Sequence, residues 1–167
     1  DISLNLRTAL LNRSLDLVFL MGPVSEFTVE NVALPPFELH WYRASTNPII
    51  DMTRIPVISY SSKTRPYREL ISELSRTVGP KARVFASASL SASLKMIAAG
   101  IAVGPYPRAL ANDFLASGQI VEFDPGFRQQ PLRFTASYLS EPRSFLVENS
   151  AEIARSIALE WDALYPK

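Results

Sequence analysis

Residues 15–20 (LDLVFL) form a continuous apolar run with a single enclosed acid, the pattern of a strand covered on both faces, and Met21-Gly22-Pro23 breaks it. Residues 37–42 (FELHWY) alternate apolar and polar side chains, as a strand with one wetter face does. His40 falls on the polar phase and reads as a surface or rim histidine. Pro56-Val57-Ile58-Ser59-Tyr60 is a short β-branched strand. The loop SSKTRP then carries helix-start signals, after which Tyr67, Leu70, Ile71, Leu74 and Val78 fall at helical spacing and Gly79-Pro80 stops the helix. Residues 82–88 (ARVFASA) read as another strand. Beyond a serine-rich turn, Leu90, Leu94, Ile97 and Ile101 mark one helical stripe that Gly100 closes.

IAVG reads as a buried strand ending in Pro105-Tyr106-Pro107. RALANDFLASG reads as a short helix with Leu110, Phe114 and Leu115 inward and Gly118 as its stop, followed by the strands QIVEF and LRFTASYLS. From Pro142 onward, Leu146, Ile153, Ile157, Trp161 and Leu164 predict an amphipathic helix long enough to cover a sheet face. Strands alternating with helices of about ten residues predict an α/β architecture with largely parallel pairing. At the start, residues 1–5 (DISLN) alternate like a strand while Leu6, Leu10 and Leu11 have helical spacing, with no loop between them. The expectation is that a loop near Asn5 is missing, or that the chain starts inside a helix.

Composition narrows the chemistry. The chain has 167 residues, 47% of them hydrophobic, no cysteine, one histidine and six glycines in no phosphate-loop pattern. These counts exclude disorder, disulfides, thiolate or multi-histidine metal sites and a nucleotide cradle. No metal and no cofactor is therefore expected. No run approaches the roughly 20 apolar residues of a membrane span, so no membrane partner is expected either. The net charge of +1 is too balanced for nucleic-acid binding by this chain alone. Its distribution is uneven: residues 54–108 carry nine Lys and Arg against Glu69 and Glu73, whereas the flanking segments are each acidic by three. That basic stretch reads either as an anion site or as a solvated face.

Several segments, in this order, resemble one family. LRTALLNRSLDLVFLMGP is similar to a segment L-x-x-L-x-x-G-x-L-D-L-A, with Asp16 at its Asp and Arg13 where a glycine is usual. RIPVISYSSKTRPYRELISEL resembles a strand-to-helix segment that opens a second subdomain. SASLKMIAAGIAVGPYPRALANDFLASGQIVEF resembles a stretch V-A-A-G-x-G-I-x-x-L-P followed by G-x-L-V, with Ala102 in place of its second glycine. The family is the effector-binding domain of LysR-type transcriptional regulators, which shares the fold of type 2 periplasmic binding proteins.

The resemblance implies two Rossmann-like α/β lobes joined by two crossing segments, residues 1–43 plus 131–167 and residues 44–130. It also implies a cytoplasmic bacterial sensor that binds a small anionic effector between the lobes and forms a homodimer or tetramer. DNA would be contacted only through an N-terminal winged helix-turn-helix that would lie upstream of Asp1, as would the missing N-terminal strand of the first lobe. A periplasmic solute-binding protein of a transporter is the alternative, and no enzyme activity is expected. Acid pairs such as Glu122/Asp124 and Glu160/Asp162 single out no general acid and base.

In open α/β sheets ligands settle beyond the carboxyl ends of strands, where loops enter helix N-termini. Residues 61–67 (SSKTRPY) are the best candidate, with Ser61, Ser62, Thr64, Arg65 and Tyr67 facing the positive end of a helix dipole. The family's ligand-contacting loop falls at residues 64–67. A plain cap at Thr64 explains the same residue types, so both readings stand. Met21 and Pro23 end a strand at the same kind of edge and form either an opposite wall or a simple turn. Ser87, Ser89 and Ser91 read as a helix cap rather than ligand contacts.

Overall fold

The structure, a computed structural model, describes residues 1–48 and 50–164. Among these are α1 (Ser3–Leu11), β1 (Leu17–Met21), β2 (Val29–Ala33), β3 (Leu39–Ala44), β4 (Val57–Ser59), α2 (Arg65–Thr77), β5 (Val84–Ala86), α3 (Leu90–Ala98), β6 (Gly104–Pro107), α4 (Arg108–Ala116), β7 (Ile120–Glu122), β8 (Phe134–Leu139) and α5 (Phe145–Leu164). Backbone contacts divide the chain into one unit of Asp1–Phe37 with the residues from Pro131 onward, and another of Glu38–Gln130.

In the first unit, residues 1–5 are the entry to α1 rather than a strand. Ile2 is the extended residue before the helix, and Leu6, Leu10 and Leu11 pack on Val18, Leu20, Val24 and Val29. A leucine stripe at helical period buries more apolar surface than five residues of alternation, so the helix prevails. After it Arg13 takes φ 61, the left-handed conformation a glycine adopts without cost, and its guanidinium donates to the Glu141 carbonyl at 3.0 Å. The sheet runs β1-β8-β2, both flanking strands antiparallel to β8, with Phe19 opposite Ala136 and Val32 opposite the same residue. The face carrying Val18 and Leu20 is covered by α1, and α5 lies over β8 and β2.

The second unit pairs β4 with β5 in parallel, and a parallel bridge from Val57 to Val103 continues this pairing to the segment entering β6. β3 lies between β6 and β7 and is antiparallel to both. One face packs Tyr42, Ile58 and Tyr106 against Leu94, Ile97 and Ala111 of α3 and α4, and the other packs Trp41, Val57 and Val103 against Leu70 and Leu74 of α2.

The pairing is thus mostly antiparallel, against the parallel expectation. Helical crossovers do give parallel relations: β4 and β5 across α2, and β6 and β7 across α4. In each unit, though, a strand from elsewhere in the chain is inserted the other way round, in the first unit between two strands that residues 22–28 join without a helix. β8 separates β1 from β2, and β3 separates β6 from β7.

Three local expectations also shift. The strand expected at IAVG is Gly104–Pro107, with Ala102 and Val103 buried just ahead of it. Pro105 and Pro107 alternate along this edge of the β6-β3-β7 ladder, where a missing N–H is tolerated. Ile101 and Leu110, expected inward, are 53% and 41% exposed. On α5 the stripe is displaced: Leu146, Ile153 and Ile157 face solvent, while Ala151 is fully buried and Ala154, Ala158 and Trp161 are partly so. Small residues let the helix approach the sheet closely, which periodicity of large side chains does not reveal. The Leu164 side chain, expected on that stripe, lies outside the described residues.

Candidate functional site

The loop from β4 to α2 occupies residues 60–64. The Thr64 N–H donates to the Ser61 carbonyl at 2.9 Å, and its hydroxyl donates to the same oxygen at 2.7 Å. Thr64 is the N-cap residue by backbone geometry, φ −90 and ψ 154, yet its side chain makes no capping bond. The cap reading of that side chain therefore does not hold. Pro66 brings no donor to the first turn, which also holds no acidic side chain. The N–H groups of Arg65 and Tyr67 accordingly keep no protein acceptor among the described residues.

Basic groups surround these donors. Arg65 gives its Nε to Glu69 at 2.6 Å, which leaves the outer edge of its guanidinium open, and Arg68 leans on the Lys63 carbonyl at 3.4 Å. Ser62 and Arg65 are exposed, whereas Ser61, Thr64 and Tyr67 are half-buried. Free N–H groups, a helix dipole and the cations of Lys63 and Arg68, which no acid pairs among the described residues, are at one strand end what an anion requires.

Two features of this strand end escape a sequence reading. Ser59, 1% exposed, has a hydroxyl with no hydrogen-bond partner among the described residues. On the opposite face, Tyr60 packs against Tyr106 with ring centroids 5.5 Å apart and planes tilted by 52°, and the hydroxyls of Tyr60 and Tyr42 are enclosed without partners among the described residues. Burial pushes the phenol of Tyr60 far up, the neighbouring Tyr106 and Tyr42 adding to the effect. Burial likewise raises Tyr42, helped by Glu122, and brings Tyr106 up to about 12 against a hydrogen bond with Ser93. The only signal in the sequence is a serine and three tyrosines within otherwise apolar strands.

Met21 and Pro23 belong to the first unit. The Met21 N–H donates to the Ser3 hydroxyl at 2.9 Å and Pro23 is exposed. A Cβ on the intervening Gly22 would stand 2.1 Å from Thr135 Oγ1, which explains a glycine at that turn. Ser89 caps α3 by accepting the Ala92 N–H at 3.2 Å, and Ser87 supports it through hydrogen bonds with the Ser89 backbone. His40 is half-buried, 3.4 Å from Glu122, which also faces Arg108 at 3.9 Å. Asp124 accepts the Gly126 N–H. Among the described residues no group of acids and histidines could hold a metal, and no helix is long and apolar enough to cross a membrane.

The family model of the LysR substrate binding domain matches residues 1–157. The bromide-bound regulatory domain of HypT from Salmonella typhimurium superposes with a TM-score of 0.80 at 15% identity, over 96% of this chain and 80% of that one. Full-length HypT, a hypochlorite-specific LysR-type transcriptional regulator, gives 0.75 at 15% identity over 92% of this chain and 55% of that one. A sulfate-bound variant of the OxyR2 regulatory domain from Vibrio vulnificus gives 0.66 at 22% identity over 95% and 78%. No curated protein matches significantly by sequence. The fold is the type 2 periplasmic-binding-like fold of these regulatory domains. By the match over residues 1–157, the chain belongs to the LysR substrate binding domain family, the ligand-sensing regulatory domains of LysR-type transcriptional regulators.

Proposed function

We propose that this chain senses a small anionic effector held at the N-terminus of α2, as part of a bacterial, cytoplasmic LysR-type regulator whose winged helix-turn-helix is carried elsewhere in the full-length protein. The observation that carries the reading is the uncapped first turn, with the Arg65 and Tyr67 N–H groups free beside Lys63 and Arg65. Regulatory domains of the same fold bind bromide in HypT and sulfate in the OxyR2 variant. The family match favours a regulator over a transport protein, and no catalytic role is assigned. An effector acts here by binding one arrangement of the domain more tightly than another and shifting the population toward it.

A thermal-shift screen of carboxylates and sulfonates tests this. At about 100 times its dissociation constant, a ligand of the folded state adds about 2.7 kcal/mol. A hit therefore moves the melting temperature by roughly 5 °C or more. Arg65→Ala should weaken that hit by about 1–3 kcal/mol through loss of a charged partner, and Thr64→Ala should weaken it by loosening the turn that the hydroxyl now closes. If both variants keep the full shift, the ligand binds elsewhere and the basic stretch is a solvated face.

We also propose that the chain self-associates, with a second copy covering the solvent-facing side of α5. Phe145 and Leu146 are 68% and 78% exposed, and Ile153, Ile157 and Leu159 extend the same apolar exposure along the helix. A run of this kind is rare on a monomer. Sedimentation at tens of micromolar should give a mass above the monomer, reduced by Ile153→Glu; a strictly monomeric wild-type mass overturns the proposal.

A further inference from the structure

We propose that the Ser59 hydroxyl is a second hydrogen-bond donor of the α2 anion site and makes that site prefer oxyanions, such as carboxylates, sulfonates and sulfate, over halides. The inference rests on the α2 reading above and adds a residue and a ligand class to it. Ser59 closes β4, whose other residues are Val57 and Ile58, and all three are buried. An enclosed hydroxyl with no partner costs stability, and alanine in its place would not. Its backbone carbonyl is already engaged by the Ser87 N–H at 3.0 Å, so the unmatched group is the side chain, which has no partner among the described residues.

Strand alternation puts Ser59 on the same face as Val57. Val57 packs against Leu70 and Leu74 of α2, whereas Ile58 and Tyr60 belong to the opposite face. Ser59 therefore sits on the face that α2 covers. It is also at the end of β4 nearest the start of α2, since only residues 60–64 connect them. Of the loop hydroxyls, that of Thr64 is tied to the Ser61 carbonyl. The backbone donors of Arg65 and Tyr67 aim outward along the helix axis, while Ser59 approaches from the sheet. An anion with two or more oxygens satisfies the backbone donors with one atom and Ser59 with another. A halide presents a single atom and gains from the backbone donors alone.

Calorimetric titration of the whole chain with sodium sulfate, sodium benzoate and sodium bromide at constant ionic strength tests this in wild type, Ser59→Ala and Arg65→Ala. Ser59→Ala should lower affinity for sulfate and benzoate by about tenfold and leave that for bromide within about twofold. Its melting temperature without ligand should equal or exceed that of wild type, since the deleted oxygen has no partner. Unchanged sulfate and benzoate affinity overturns the inference, the hydroxyl then being served by internal water. An equal loss for all three anions together with a lowered melting temperature overturns it in favour of a structural serine. Failure of wild type to bind any of the three sinks the α2 reading and this one together. Arg65-dependent binding indifferent to Ser59→Ala sinks only this one.

Discussion

Gly104→Ala should destabilise the chain by about 3 kcal/mol or more, lowering the melting temperature by roughly 6–12 °C. The cause is steric, because Gly104 is not among the residues with positive φ. A Cβ there would stand 2.3 Å from the Ile58 carbonyl oxygen and 3.2 Å from Cε2 of Tyr106. The carbonyl is fixed: Ile58 donates its N–H to Val103 at 2.8 Å, and the Tyr106 hydroxyl reaches the Ile58 oxygen at 3.4 Å. Pushing β4 away breaks both bonds inside the core. Gly118→Ala is the comparison, since φ is +68 there and no atom lies within 4 Å. It should cost only about 1 kcal/mol of backbone strain. Equal losses for the two variants, read by circular dichroism melts, would show that the approach of β4 to β6 yields easily.

The fold was legible wherever one period of large apolar side chains decides an element. α2, with Leu70 and Leu74 buried and Gly79 at φ +87 just beyond it, follows directly from spacing and stop signal. Where burial is carried by small or polar residues, the pattern fails. The alternation pattern does not reveal β2 because the middle of its inward face is Asn31, whose side-chain Oδ1 accepts from the Val24 N–H and the Ser137 hydroxyl at 2.9 and 2.8 Å. A polar side chain matched inside the fold looks in sequence like one facing water. α5 misled for the complementary reason, its sheet-facing side being alanine-rich. Strand direction was not legible either, since β3 and β8 enter their sheets from outside the local crossovers that the parallel rule describes.

For the candidate site, the residue types of the loop were readable but their hydrogen bonds were not. Thr64 has the identity of a cap and does other work, and that difference leaves the Arg65 and Tyr67 N–H groups without an acceptor among the described residues. The Ser59 hydroxyl and the three clustered tyrosines depend on which strand faces meet, information set by topology. Arg13 shows the converse. Its departure from the family's glycine stands out in sequence, yet the turn keeps its left-handed geometry with an arginine in it.

Raising the pH from 10 to 12 should unfold the second unit, because Tyr42, Tyr60 and Tyr106 all resist ionisation in the folded state. Burial is the leading cause for each, and it pushes Tyr106 up to about 12 from the ordinary phenol value of 10.0. Below pH 10 both folded and unfolded chains hold these protons, so their contribution is fully present. Above it the unfolded chain releases protons that the folded chain retains, the unfolded state binds fewer, and stability falls as pH rises toward the folded values. Each tyrosine contributes about 1.4 kcal/mol per pH unit over that window, so three together remove about 4 kcal/mol per unit. Against a total stability of about 5–15 kcal/mol, loss of structure is expected near the top of the window. In an alkaline titration their phenolate absorbance should appear together with the loss of circular dichroism rather than before it. Tyr60→Phe removes one titrating group and an unpartnered hydroxyl at once, so it should reduce the slope by about a third without lowering stability at neutral pH. Phenolates forming near pH 10 with the dichroism intact would mean that these hydroxyls reach water in the folded chain, and the enclosed tyrosine cluster would have to be abandoned.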